Sequence, residues 1–392
     1  MTWDTTLTPV VDTDGHVTEP PDLWSSRLPS KWADQMPRVE VYEPTGQQYW
    51  VVGDQAASMI GTYSVAGWHE YPPSLPMTFD DLDPACFDPW LRLERMDQFG
   101  IYRQVLYPNL LGFEIGAFLE VDRELANACT RAYNDFITEW CSADTDRLLP
   151  LTMLPLWDVD EAVSELRRGR ELGHRGALFG GHPERVGLPR LFSGHWDRVF
   201  AEAQDLEVSI NFHLGFGKRT KQDAAERVGD WMKRDWDLID FTKGVCLNFT
   251  NNISTVCDLV LGGVCERFPR LTFVSVESGF GWAPFVLDTM DWQWANNGCH
   301  EAFPGRLLPS EYFKRQILTT FWFEKSSFDL IEPFADSVMF ETDYPHPTSL
   351  APGPASSSRG PRQTIEANLG GLSEETRRKV LFENADRVYA AR

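Results

Sequence analysis

Apolar runs of four to eight residues alternate with stretches whose apolar positions recur every three or four residues. The first pattern predicts strands and the second predicts helices. Val10–Asp14 reads as a strand that ends in polar residues. Arg38–Tyr42 and Gln48–Val52, joined through Glu43-Pro44-Thr45-Gly46, predict a β-hairpin. Regularity sets in at Pro89–Gly100, a helix on the spacing of Trp90, Leu91, Leu93 and Met96. Further strands are predicted at Gln104–Tyr107, Leu148–Pro155, Gly176–Phe179, Val208–His213, Leu271–Glu277, Gln316–Phe321 and Ser337–Phe340. Helical patterns separate them, among them Val121–Ala143, Val159–Glu171, Trp196–Gln204 and Cys257–Phe268. Eight strands each followed by a helix make a (β/α)8 TIM barrel, an α/β fold. The chain is therefore expected to be one domain over 1–392, with 36–88 inserted after the first strand as a hairpin and lid excursion. An open doubly wound sheet is the alternative. It calls for a Gly-rich phosphate turn after the first strand, and Asp12-Thr13-Asp14-Gly15-His16 is not one.

Composition narrows the class of partner. The net charge of −22 and a pI near 4.7 repel phosphate, so no nucleic-acid partner is expected. The 15 Trp and 25 Phe are enough both to fill a core and to line a pocket for a bulky apolar ligand. No apolar run reaches membrane-spanning length, and the first residues show no signal-peptide pattern. Seven widely spaced cysteines with no CxxC pair read as reduced core thiols, hence a cytoplasmic location. A homo-oligomer is expected.

In such barrels chemistry sits at the C-terminal ends of strands. Asp14, His16 and Glu19 follow the first strand, His213 ends the fifth, Glu277 the sixth, and Asp343 and His346 follow the eighth. Asp14 and His16 are two residues apart, which directs both side chains to one strand face. Buried carboxylates and imidazoles are costly without a counter-charge, and a metal ion removes that cost. Each residue taken alone has a plainer reading. His213 could be a hydrogen-bonded core histidine, Glu277 a helix cap and Asp343 a loop cap. His174 ends a helix, where a cation suits the dipole. His182 follows the fourth strand and is a possible substrate contact.

The motifs Asp12-Thr13-Asp14-Gly15-His16-Val17-Thr18-Glu19-Pro20, Glu94-Arg95-Met96-Asp97-Gln98-Phe99-Gly100-Ile101, Asn211-Phe212-His213, Glu277-Ser278-Gly279-Phe280-Gly281-Trp282 and Glu341-Thr342-Asp343-Tyr344-Pro345-His346-Pro347 resemble, in order, the amidohydrolase-related family that includes aminocarboxymuconate-semialdehyde-type decarboxylases. The resemblance spans nearly the whole chain and implies a metal-dependent, amidohydrolase-like barrel. By position it puts Asp14 and His16 on the strand-one ligand pair, His213 on the strand-five histidine and Asp343 on the strand-eight aspartate. Two departures stand out. Asp14 occupies a position where histidine or glutamate is common, and Glu277 stands where the decarboxylases carry histidine. No lysine lies near the end of the fourth strand, where bimetallic members place a carbamylated bridge.

Four carboxylates and three imidazoles exceed what one zinc ion takes, so the set Asp14, His16, Glu19, His213, Glu277, Asp343 and His346 is expected to hold two metal ions, iron by its oxygen-rich chemistry. Glu277, Asp343 and His346 are the candidate catalytic residues. The set resembles a branch of such barrels that act as non-haem di-iron monooxygenases. The preferred expectation is hydroxylation of a bulky apolar, CoA-linked or similar small-molecule substrate, with an external reductant. Lys218, Arg219 and Lys221 are the best local cluster for CoA phosphates. The alternative is a hydrolase or decarboxylase using a single Zn or Mn. A third reading, a barrel that has lost its metal and only binds ligands, leaves a ring of carboxylates without a counter-charge.

Overall fold

Eight parallel strands form the centre of the molecule: β1 (Val11–Val17), β5 (Arg103–Pro108), β6 (Leu148–Met153), β7 (Gly176–Gly180), β8 (Ser209–His213), β9 (Phe273–Val276), β10 (Ile317–Phe321) and β11 (Val338–Phe340). They neighbour one another in that order, and the intervening helices pack outside them. The computed structural model describes residues 8–215, 237–325 and 328–390. Every residue of β1 is buried, as are those of β6 to β11. This is why β6 to β11 read as largely apolar runs and not as alternating ones, whereas β1, Val-Asp-Thr-Asp-Gly-His-Val, buries polar side chains.

The barrel closes between β1 and β11 through a single bridge, Gly15 to Tyr344. His16 N donates to Tyr344 O at 2.7 Å, and Asp343 N donates to Asp14 O at 2.9 Å. Asp12 reinforces this seam. Its carboxylate accepts Thr342 N at 2.7 Å and Thr342 Oγ1 at 2.5 Å. Two strand ends that carry candidate ligands therefore meet where the sheet has fewest backbone hydrogen bonds.

The excursion after β1 holds an antiparallel sheet of three strands, β2 (Arg38–Tyr42), β3 (Gln47–Val52) and β4 (Gln55–Met59). The hairpin is as expected, and β4 is an addition. Its sequence, Gln-Ala-Ala-Ser-Met, has none of the β-branched residues that mark a strand; pairing with Tyr49, Val51 and Val52 makes it one. Asp88, Asp122, Asp158 and Asp237 cap the helices that follow them, each accepting two backbone N–H groups. No helix among the described residues is long and apolar enough to cross a membrane.

Candidate metal centre

Asp14 and His16 lie inside β1, which runs on to Val17, so their two-residue spacing is that of a strand face. His213 closes β8, and Asp343 follows β11. The Nε2 atoms of His16 and His213 face each other at 3.0 Å. Asp14 Oδ1 lies 3.2 Å from His16 Nε2, and Asp14 Oδ2 lies 3.4 Å from His213 Nε2. Asp343 Oδ1 is 3.8 Å from His16 Nε2. All four residues are buried, and their donor atoms lie within 4.8 Å of one another.

A cation fits this arrangement. Both Asp14 oxygens and Asp343 Oδ1 are buried, and the nitrogens nearest them belong to imidazoles and not to amides, lysines or arginines. His213 Nδ1 is held by Leu214 O at 2.8 Å, which keeps its proton on Nδ1 and leaves the Nε2 lone pair facing the other donors. Burial disfavours charge on both imidazoles. At His16 it prevails, with help from His346, and the ring is held well below the usual histidine range. At His213 burial is outweighed by Asp14, and the pKa is raised.

Glu277, Asp343 and His346 form an adjoining group that shares Asp343. His346 Nδ1 is 2.8 Å from Asp343 Oδ1, and its Nε2 meets Asn109 Oδ1 at 3.0 Å. Glu277 Oε2 is 3.6 Å from His213 Nε2. Burial, then Asp343, Asp14 and Glu341, push the Glu277 carboxyl well above the usual range. Glu277 and Asp343 both have φ of 56°, a left-handed conformation that costs non-glycine residues of order 1–3 kcal/mol and collects at functional sites. Glu277 does not cap the helix that follows it, Ala283–Asn296, which has no side-chain cap; in the turn between them Glu324 Oε1 accepts Phe280 N and Gly281 N.

Glu19 belongs to neither group. Its Oε1 accepts Asn109 N and Leu110 N, both at 2.9 Å, so it anchors the turn that opens the helix Leu110–Phe113. His182 meets Asn251 O and Ser254 Oγ on the helix Asn251–Leu261 and is not among the residues that line the cavity described below. His174 is no exposed helix-end cation. It is buried between the hydroxyls of Thr138 and Thr152, and burial lowers its pKa to about 4. Lys218, Arg219 and Lys221 lie outside the described residues. Sequence reasoning passed over Glu341, whose Oε2 accepts Glu277 N at 3.2 Å beneath the site. The signal was its place two residues before Asp343.

Above the two groups lies a cavity of ≈ 450 Å³ that reaches Glu277, His346 and Thr348. Its walls come from β4 and the residues after it, and from the helix Leu238–Asn248. Tyr63 and Phe113 stack at 4.7 Å, and Phe113 packs on the rings of His16, His213 and His346.

A parallel (β/α)8 barrel with buried carboxylates and imidazoles gathered at its strand ends defines a metal-site barrel enzyme. The family described as Amidohydrolase matches residues 11–391, and the chain belongs to it. The 2-amino-3-carboxymuconate-6-semialdehyde decarboxylase of Dictyostelium discoideum is 26% identical over 378 residues, 93% of this chain and 89% of that protein. The gamma-resorcylate decarboxylase of Rhodococcus jostii is 29% identical over 273 residues, 65% of this chain and 76% of that protein. In fold, the chain is similar to 5-carboxyvanillate decarboxylase of Novosphingobium aromaticivorans solved with manganese, at 16% identity and a TM-score of 0.65, covering 98% of both chains.

These relatives overturn the di-iron monooxygenase expectation, because the matched proteins are decarboxylases. The pair of irons goes with it, together with the reductant and the CoA-linked substrate, none of which finds support. The seven-ligand count misled because it included Glu19, which binds backbone, and because the remaining donors fall into two groups that share Asp343.

Proposed function

We propose that this enzyme is a metal-dependent decarboxylase of a small, planar, aromatic or conjugated carboxylic acid. The convergence of Asp14, His16, His213 and Asp343 directly beneath an aromatic-walled cavity carries the reading. The relatives support it, and manganese is the metal to test first. The bound ion would act as a Lewis acid on the substrate's carboxylate and any neighbouring oxygen.

The chain's own residues do the rest. Phe113 and Tyr63 present stacked ring faces against which a planar substrate lies. Glu277 lines the cavity and also touches the ligand set through His213. It is the group placed to deliver a proton to the carbon that loses its carboxylate. The step balances: the C–C bond breaks, CO2 leaves, and the proton from the Glu277 carboxyl takes its place on carbon. His346, fixed between Asp343 and Asn109, positions Asp343 from the other side.

The test is CO2 release from a panel of hydroxybenzoates and conjugated dicarboxylates by manganese-loaded enzyme in D2O. One deuterium at the vacated carbon is expected, and Glu277→Gln should lower the rate by about 100-fold or more, as loss of a proton donor does. Hydrolysis of an amide or ester substrate, with no CO2 from any acid, would overturn the reading.

A further inference from the structure

Arg92 is among the largest fully buried side chains of the molecule, and the centre described above does not include it. It projects from the helix Pro89–Phe99 into the region behind the β1–β11 seam. A buried guanidinium is expensive and ordinarily carries a carboxylate partner. Each hydrogen bond of Arg92 goes instead to a neutral oxygen. Nε donates to Ala85 O at 2.7 Å, Nη1 to Gln104 Oε1 at 2.9 Å, and Nη2 to His16 O at 2.7 Å and Cys86 O at 3.4 Å. Its flat face lies 4.7 Å from the ring centre of Tyr344.

Three of these contacts are one step from the centre. The carbonyl of His16 belongs to a candidate ligand. Tyr344 sits next to Asp343 and two residues before His346. Gln104 carries the chain further, because its Nε2 donates to Asp12 Oδ2 at 2.7 Å and Asp12 grips Thr342. Gln104 fits only because residue 15 is glycine: a Cβ there would lie 2.4 Å from the Gln104 side chain. One cation therefore holds β1 directly, and β11 through a ring face and an amide–carboxylate relay.

We infer that Arg92 is a positioning residue for the metal centre, setting the spacing of Asp14 and His16 against Asp343 and His346 across the barrel seam. This rests on the proposed metal site. Planarity is essential to the role, since the fork must reach the carbonyls of Ala85, Cys86 and His16 and the Gln104 amide while its face stays on Tyr344; a lysine ammonium supplies charge without that geometry. The role predicts weaker metal binding with the fold intact, and kcat that recovers when metal is saturating.

Manganese titration of the metal-stripped full chain, followed by EPR of free Mn2+, tests this. Wild type should bind, and R92K should bind about 10- to 100-fold more weakly, the usual cost of losing an outer contact to a ligand. Circular dichroism should be unchanged, and kcat should return toward wild type at high manganese. R92K that binds manganese as tightly as wild type overturns the role of Arg92 and leaves the metal centre standing. Wild type that takes up no manganese overturns the metal centre itself. If R92K does not fold, Q104L decides, since it cuts the relay but keeps the three carbonyl contacts. Weaker binding supports the inference, and unchanged binding overturns it.

Discussion

At the scale of single residues, the four donors differ in what their loss should do. His16 and His213 bring their Nε2 atoms to the same point, 3.0 Å apart. His16→Ala or His213→Ala should cost more than the 10- to 100-fold in metal affinity typical of an outer contact. Elemental analysis after dialysis should find either variant depleted of metal, with its circular dichroism unchanged; full metal content in both would remove them from the ligand set. His174 makes a separate prediction. Burial holds its folded pKa near 4 against an ordinary 6.5. The unfolded chain therefore binds the extra proton first as pH falls. Stability from the neutral ring is present in full above pH 6.5, declines below it, and is gone below about pH 4, a change of about 3 kcal/mol. His174→Gln should flatten that limb of a pH-dependent urea denaturation series, and an unaltered limb would assign it to other groups. Asp14, His16, His213 and Asp343 were legible because each follows an apolar run at a predicted strand end. Glu19 shared that signature but accepts backbone N–H groups, and a sequence does not distinguish a carboxylate aimed at an ion from one aimed at a helix start. His174 was misread because its helix end is covered by Thr138 and Thr152, which are distant in the chain.

At the scale of elements, strands were the most legible feature, because most barrel strands are buried on both faces and read as largely apolar runs. The seam was not legible. Parallel neighbours β1 and β11 are joined by one bridge, and the residues that hold them, Asp12 and Thr342, are 330 positions apart. Packing of a helix on the barrel gives a sharper prediction. Gly169 lies in the helix Val159–Glu171, where alanine would ordinarily gain up to about 1 kcal/mol of helix propensity. Here a Cβ would lie 2.0 Å from Thr152 Oγ1, the hydroxyl that meets His174 Nδ1. Overpacking of this kind costs about 1–3 kcal/mol. Gly169→Ala should therefore lower the thermal midpoint despite its better propensity, and a raised midpoint would show that the helix can shift outward at no cost.

At the scale of the whole molecule, the surplus of negative charge extends into its interior. Asp14, Glu277, Glu341 and Asp343 are all buried at one end of the barrel, and among the described residues Asp14 and Asp343 pair with imidazoles and with no lysine or arginine. Without an ion, this concentration of acid opposes folding; with one, four ligands from β1, β8 and the end of β11 are tied together across the barrel and its seam. Binding to the folded state alone stabilises by about 2.7 kcal/mol at a hundredfold excess over Kd and about 4.1 at a thousandfold. For a chain of 392 residues, 1 kcal/mol corresponds to roughly 1 °C in Tm by the usual unfolding entropy per residue. Chelator-stripped protein should therefore melt about 3–4 °C below protein in excess manganese, by calorimetry at fixed pH. Asp14→Asn, His213→Ala double variants should lose that difference while gaining stability in the stripped state, because one buried charge and its polar partner are gone. Identical melting of stripped and loaded wild type would mean that the acids at the barrel mouth are balanced by their own protons and imidazoles, and that the fold does not depend on an ion.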